Sequence, residues 1–206
     1  MWLVNTFDDF KQYLQMFEGA ENIGEFNSLV FKKKTEDLSV YYGLFNDAGE
    51  LVAYYWLVKF SSQHNMLLGF ELRVHRDYQR KGIAMFFYNY IIIEDAKTIV
   101  SDYSHNTESS AIWDKLANIS MMKVGRYDRK TDSIEWGNLN KELVYGNGHM
   151  HFVVAPKTIQ DIDVEHAHDV DTSIVINTCK KVKGKFINKP TSTGCFVRAT
   201  PLSFEL

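Results

Sequence analysis

The chain is patterned in short blocks. Phe7, Phe10, Tyr13, Leu14 and Phe17 recur at helical spacing, and Thr6 with Asp9 three places on resembles a capping box, so a helix is expected over residues 8–17. Residues 31–34 read as a short strand. The aromatic and β-branched runs 39–45 and 51–60 flank Asn46-Asp47-Ala48-Gly49, a turn sequence, and predict a hairpin. A further strand over 67–74 leads into a strongly apolar helix over 84–97. Residues 99–103, 123–127 and 149–154 read as strands and 109–119 as a third helix. The order helix, antiparallel strands, helix, strand, helix, strand predicts an α/β fold: a mixed, mostly antiparallel central sheet flanked by helices.

Beyond Pro156 the pattern changes. Acids and histidines run from Asp161 to Asp171, and short strands over 173–177 and 185–188 surround Lys180-Lys181-Val182-Lys183-Gly184. Thr193-Gly194 is expected to turn into a last strand over 195–198. The chain thus divides into a domain over 1–155 and a small strand-rich extension over 156–206, packed on the core or used in homodimer contacts. A net charge of −3 gives no broad pull toward nucleic acid. Asp8 and Asp9 interrupt any secretory leader, and the apolar run 85–93 contains Asn89 and is too short to span a membrane. Cys179 and Cys195 have neither metal-type nor redox-type spacing, and are expected as free thiols in a reducing cytoplasm.

The segment Val74-His75-Arg76-Asp77-Tyr78-Gln79-Arg80-Lys81-Gly82-Ile83-Ala84 carries the chemistry. It joins a strand to a helix through a short basic loop with a glycine. The first turn of a helix offers N–H groups without intrahelical partners, and its dipole favours an anion. A pyrophosphate fits there, with Arg80 and Lys81 adding charge and Gly82 letting the backbone approach closely. No G-x-G-x-x-G follows a strand and no G-x-x-x-x-G-K-[ST] occurs, so the dinucleotide fold and the P-loop lack their fingerprints.

Gln79-Arg80-Lys81-Gly82-Ile83-Ala84 resembles the Q/R-x-x-G-x-G/A signature of the GNAT N-acetyltransferase superfamily, and Val74-His75-Arg76-Asp77-Tyr78 looks like the strand end before it. Asn106-Thr107-Glu108-Ser109-Ser110-Ala111-Ile112-Trp113-Asp114-Lys115-Leu116 resembles that superfamily's asparagine and the helix flanking the pantetheine arm. The resemblance covers about residues 29–127. It implies a GNAT-like sheet, acetyl-coenzyme A (acetyl-CoA) as co-substrate and a primary amine, on a small molecule or a protein, as acceptor. It implies that the pyrophosphate is held by Gln79, Arg80, Lys81, Gly82, Ile83 and Ala84. The pantetheine would run between the strands ending near Val74 and starting at Ile99, bound by backbone of Leu72 and Val74 and by Asn106. A backbone N–H near Arg73 or Val74 would polarise the thioester carbonyl.

Catalytic groups are harder to assign. Glu71 is the carboxylate of the strand before the loop and a candidate base, although simple alternation puts it opposite Leu68, Phe70, Leu72 and Val74 unless a bulge resets the parity. His75 is expected as a surface histidine. Where related enzymes often carry a tyrosine acid, two residues before Lys115-Leu116, this chain has Trp113. An indole N–H donates but does not release a proton, so Trp113 would bond the sulfur or wall the site, leaving Tyr103 or Tyr127 as the acid.

His149-x-His151 and Glu165-His166-x-His168-Asp169 hold metal-ligating side chains, but their spacings match no tight site and a solvated loop is the plainer reading; no metal is expected. Lys32-Lys33-Lys34 and Lys180-Lys181-Val182-Lys183 are expected on the solvated surface, with nucleic acid not the favoured partner. Two other readings fit the same residues: a catalytically weak or inactive GNAT-fold binding module, suggested by Trp113, and a nucleic-acid-modifying enzyme similar to the Mom family. The length, Trp113 and the extra tail resemble small phage-borne transferases of this superfamily.

Overall fold

The computed structural model describes residues 6–60, 62–102, 107–145, 148–158 and 161. Nine strands form one sheet: β1 (Glu21–Phe26), β2 (Leu29–Thr35), β3 (Ser39–Phe45), β4 (Leu51–Lys59), β5 (Leu67–Val74), β6 (Ile99–Val100), β7 (Met122–Asp128), β8 (Ser133–Trp136) and β9 (Met150–Pro156). Their order is β1-β2-β3-β4-β5-β6-β9-β7-β8. Every pairing is antiparallel except β5 with β6. Among the described residues four α-helices, α1 (Phe7–Lys11), α2 (Ile83–Asn89), α3 (Thr107–Ala117) and α4 (Lys141–Tyr145), accompany it. This is the mixed, mostly antiparallel α/β fold that the element order predicts.

The β3–β4 hairpin sets the centre of the sheet. The Asn46 side chain accepts from the Glu50 N–H at 2.9 Å, and Gly49 takes the positive φ of 76° that closes the turn. All of β3 and residues 51–55 of β4 are buried, because both sheet faces are covered. On one face Leu44, Tyr55, Leu57, Ile83, Phe87, Ile91, Trp113, Leu116 and Phe152 belong to the main core. On the other, Phe10 and Phe17 pack on Tyr41, Phe45, Leu51 and Tyr54.

Two helices differ from expectation. The helix expected over 8–17 stops at Lys11 and resumes as a 3₁₀ turn, Leu14–Phe17. The break lets two aromatics reach the sheet separately, Phe10 edge-on to Tyr54 at 5.7 Å and Phe17 edge-on to Phe45 at 5.3 Å. The helix expected over 84–97 starts at Ile83 and widens into a π turn over Tyr90–Glu94, where the Asp95 N–H donates to the Tyr90 carbonyl. The wider turn keeps both Ile91 and Ile92 fully buried. It also leads to Asp95, which accepts from Lys33 Nζ at 2.5 Å and from the Tyr42 hydroxyl. Burial, followed by that carboxylate, holds the Tyr42 hydroxyl far above the usual phenol range.

β1, β8 and α4 have no counterpart in the sequence pattern. β1 and β8 are largely exposed and show little apolar alternation. β1 turns into β2 through Asn27 and Ser28, both at positive φ. Lys32, Lys33 and Lys34 are each engaged within the chain: Lys32 lies 4.7 Å from the Phe45 ring centroid, and Lys33 and Lys34 pair with Asp95 and Glu36.

No helix among the described residues is long and apolar enough to cross a membrane. The sheet belongs to the unit Met1–Pro156; of the unit Lys157–Leu206, only Lys157, Thr158 and Asp161 are described. In that second unit the Asp161 carboxylate accepts from the N–H and the hydroxyl of Thr158. The strands expected at 173–177, 185–188 and 195–198, both cysteines, the second basic run and the cluster at 165–169 lie outside the described residues.

Candidate functional site

The parallel pair β5–β6 is short, and that opens the sheet. β6 meets β5 only at Leu67–Ile99 and Leu68–Val100, while also pairing antiparallel with β9. After Val100 the chain stays with β9, the Ser101 N–H donating to the Phe152 carbonyl at 2.9 Å. β5 instead continues along β4 to Val74. Residues 70–74 of β5 therefore have no ladder with β6, and the two strands part there.

A β-bulge sits at the same point. Trp56 pairs with Glu71 but Leu57 pairs with Gly69, which leaves Phe70 as the extra residue. The alternation assumed from sequence is thereby broken. Leu67 lies in the main core before the bulge, and Leu72 and Val74 pack on it afterwards. Phe70 is expelled from that face: it is half exposed, with its ring 4.5 Å from Trp56. Glu71 points with Trp56 and Tyr54 toward the α1 side.

There Glu71 is the hub of a polar cluster. One carboxylate oxygen accepts from the Tyr54 hydroxyl at 2.7 Å, and the other from Arg73 Nε at 2.7 Å and Nη2 at 2.5 Å. Arg73 also lies 5.3 Å from the Tyr13 ring centroid. Burial, followed by the bond to Glu71, lifts the Tyr54 hydroxyl well above its usual range, so it stays a donor.

The loop after β5 is held from both ends. The His75 N–H donates to the Val52 carbonyl at 2.8 Å, and Gln79 Nε2 donates to the Val74 carbonyl at 3.1 Å. Gln79 therefore ties the loop to the strand end and occupies one of the backbone groups of Val74. A 3₁₀ turn over Arg76–Tyr78 follows His75, and Arg80 and Gly82 both take positive φ, 59° and 81°. Gly82 is the N-cap of α2, and a Cβ on it would meet nothing within 4 Å, so the space above the helix start is open. Arg80 and Lys81 are exposed, with Lys81 Nζ 4.8 Å from the Tyr78 ring centroid. Ile83 turns its side chain into the core, and Ala84 is half-buried on the first turn.

His75 is not the surface residue expected: it is 3% exposed, stacked on Phe7 at 4.0 Å, and its Nδ1 accepts from the Asp77 N–H at 3.3 Å. Trp113 is 2% exposed, stacked on Phe152 at 5.2 Å and edge-on to Tyr88 at 6.0 Å. Tyr127 donates to Asp132 at 2.7 Å, in a knot that joins the β7–β8 turn to Ser62 and Gln63. His151 is fully buried with Nδ1 2.9 Å from the Ser101 carbonyl oxygen, whereas His149 lies before β9 with Nε2 4.0 Å from Asp128. Among the described residues no three potential metal ligands cluster. Tyr103 and Asn106 lie outside the described residues.

Two residues near the bulge went unremarked in the sequence. Tyr55 and Tyr88 are buried, and the Tyr55 hydroxyl donates to that of Tyr88 at 3.1 Å. The Tyr55 hydroxyl lies 2.3 Å from where a Gly69 Cβ would be. A glycine inside a strand is a sign of a bulge or a close approach, and Gly69 is both.

No protein-family profile and no curated protein sequence matches this chain. Among solved structures, one similarity is to a protein from Bacteroides thetaiotaomicron assigned to the GNAT family of acetyltransferases. It covers 84% of this chain and 96% of the other, at 11% identity and a TM-score of 0.36. A superposition that loose carries no functional argument.

Proposed function

We propose that this chain is an acyl-CoA-dependent N-acetyltransferase that moves an acetyl group from acetyl-CoA to a primary amine. One observation carries the reading: β5 bulges at Phe70 and parts from β6, and the Gln79–Gly82 loop at the start of α2 follows the freed strand end. In this reading the pyrophosphate sits over Gly82, Ile83 and Ala84 beside Arg80 and Lys81, where helix N–H groups and two cations favour an anion. The pantetheine extends along Leu72 and Val74 where β5 has parted from β6, standing in for the β6 ladder that β5 lacks.

Backbone N–H groups beside the bulge polarise the thioester carbonyl, and the amine nitrogen attacks the acetyl carbon. Glu71 is the candidate base, on the α1 side, with Tyr103 kept as the candidate acid. Three donors hold Glu71, from Tyr54 and Arg73, which leaves one of a carboxylate's roughly four lone-pair positions for the proton of an incoming ammonium. Glu71→Gln is expected to lower kcat at least tenfold with acetyl-CoA affinity unchanged, read by steady-state kinetics beside calorimetry. Equal kcat in both proteins would remove Glu71 from the chemistry.

Calorimetric titration with acetyl-CoA, run beside a Gly82→Glu variant, tests the reading itself. Micromolar binding is expected in the natural sequence. A carboxylate over the helix start, together with the strain of a side chain at φ 81°, is expected to weaken it at least tenfold. No binding to the natural sequence would sink the proposal.

A further inference from the structure

His75 stands where three parts of the chain meet. From α1, Phe7 stacks on its ring at 4.0 Å with the planes 18° apart, and Phe10 lies at 6.2 Å. From β4, the Val52 carbonyl accepts its N–H at 2.8 Å. Toward the loop, its Nδ1 accepts from the Asp77 N–H at 3.3 Å, and Tyr78 lies edge-on to the ring at 5.8 Å. Lys81 Nζ in turn lies over the Tyr78 ring. An Nδ1 that accepts carries no hydrogen of its own, so the ring's hydrogen is on Nε2.

The loop needs such a support. Gln79, Arg80 and Lys81 lie between the 3₁₀ turn and α2 in no regular element, and Arg80 takes φ 59°, which a non-glycine residue holds only where its surroundings fix it. Gln79 supplies one tie, to the Val74 carbonyl. The His75 imidazole supplies the other: it stands at the N-cap of the 3₁₀ turn with φ −55° and ψ 140°, and gives an N–H of that turn its acceptor. An asparagine or a serine could cap the turn equally well, but neither would present a flat ring to Phe7. Resting on the acetyltransferase reading above, we infer that His75 is a positioning residue for the pyrophosphate loop, with two separate duties. The ring holds α1 against the strand end, and Nδ1 holds the turn that carries Tyr78 and Lys81 to the pyrophosphate. His75 thereby acts on the cofactor's phosphates through the backbone from Asp77 to Gly82, without touching them.

Two substitutions separate these duties, read by calorimetric titration with acetyl-CoA beside chemical denaturation. His75→Phe keeps a flat ring against Phe7 and removes the acceptor. It is expected to bind acetyl-CoA about fivefold more weakly, the scale of one neutral hydrogen bond, with its denaturation midpoint little changed. His75→Asn removes the ring and restores an acceptor, since an asparagine at an N-cap takes the N–H two places on. It is expected to bind within about twofold of the natural sequence while unfolding at lower denaturant. A role in the fold alone would reverse that order and make the less stable asparagine variant the weaker binder, which overturns the inference. Equal affinity in all three proteins also overturns it and leaves the acetyltransferase reading standing. Absence of acetyl-CoA binding to the natural sequence overturns both. Should His75→Phe fail to fold, exchange of the Asp77 amide hydrogen in the natural sequence decides. A bond that favours binding is favoured by it in return, so exchange is expected to slow when acetyl-CoA saturates the protein, and an unchanged rate overturns the inference.

Discussion

Trp113→Ala is expected to lower stability by about 3–5 kcal/mol, the range for truncating a large buried aromatic. The indole is 2% exposed and lies between Phe152 of β9 and Tyr88 of α2, so its removal leaves a cavity between the helical layer and the sheet. Neighbouring aromatics are themselves fixed by other contacts and cannot collapse into it: Tyr88 is held by Tyr55, and Phe152 by its strand hydrogen bonds. Trp113→Phe keeps most of the stacking surface and is expected to cost about half as much or less. Chemical denaturation of both variants measures the difference. Acetyl-CoA affinity of the phenylalanine variant is expected to stay within a few-fold of the natural sequence. A large loss of affinity with little loss of stability would return Trp113 to the cofactor site.

The motif aligns Trp113 with a tyrosine, and its burial between Phe152 and Tyr88 is a packing role that the alignment alone does not show. The same contrast runs through the chain. β3, β4 and β5 were legible to within one residue, since continuous apolar runs bounded by turn residues leave few alternatives. The order strand, loop, helix around Gly82 was legible because a glycine punctuates two apolar runs. The parity of Glu71 was not legible. One extra residue in a strand flips every side chain after it, and only Gly69 hinted at where that occurs. His75 was misread because a histidine's burial depends on Phe7 and Phe10, which reach it from a distant segment. β1 and β8 escaped because edge strands facing solvent carry little hydrophobic alternation.

Gly69→Ala carries the second large effect, about 1–3 kcal/mol of destabilisation from overpacking. The added methyl would lie 2.3 Å from the Tyr55 hydroxyl oxygen and 3.2 Å from its Cζ. Tyr55 cannot swing aside freely, because its ring packs against Phe87 at 6.3 Å and Tyr88 at 5.4 Å and its hydroxyl is bonded to Tyr88. The clash is therefore relieved either by breaking the hydroxyl pair or by shifting the bulge, and each disturbs the place where β5 leaves β6. A double-mutant cycle with Tyr55→Phe separates these routes. Deleting the hydroxyl removes the nearest atom, so the cost of Gly69→Ala is expected to fall by at least half in the Tyr55→Phe background. If the cost is the same in both backgrounds, the glycine serves the bulge backbone alone. A smaller cost in the phenylalanine background ties Gly69 to the tyrosine, making the missing side chain the reason a buried hydroxyl pair can sit where the two strands part.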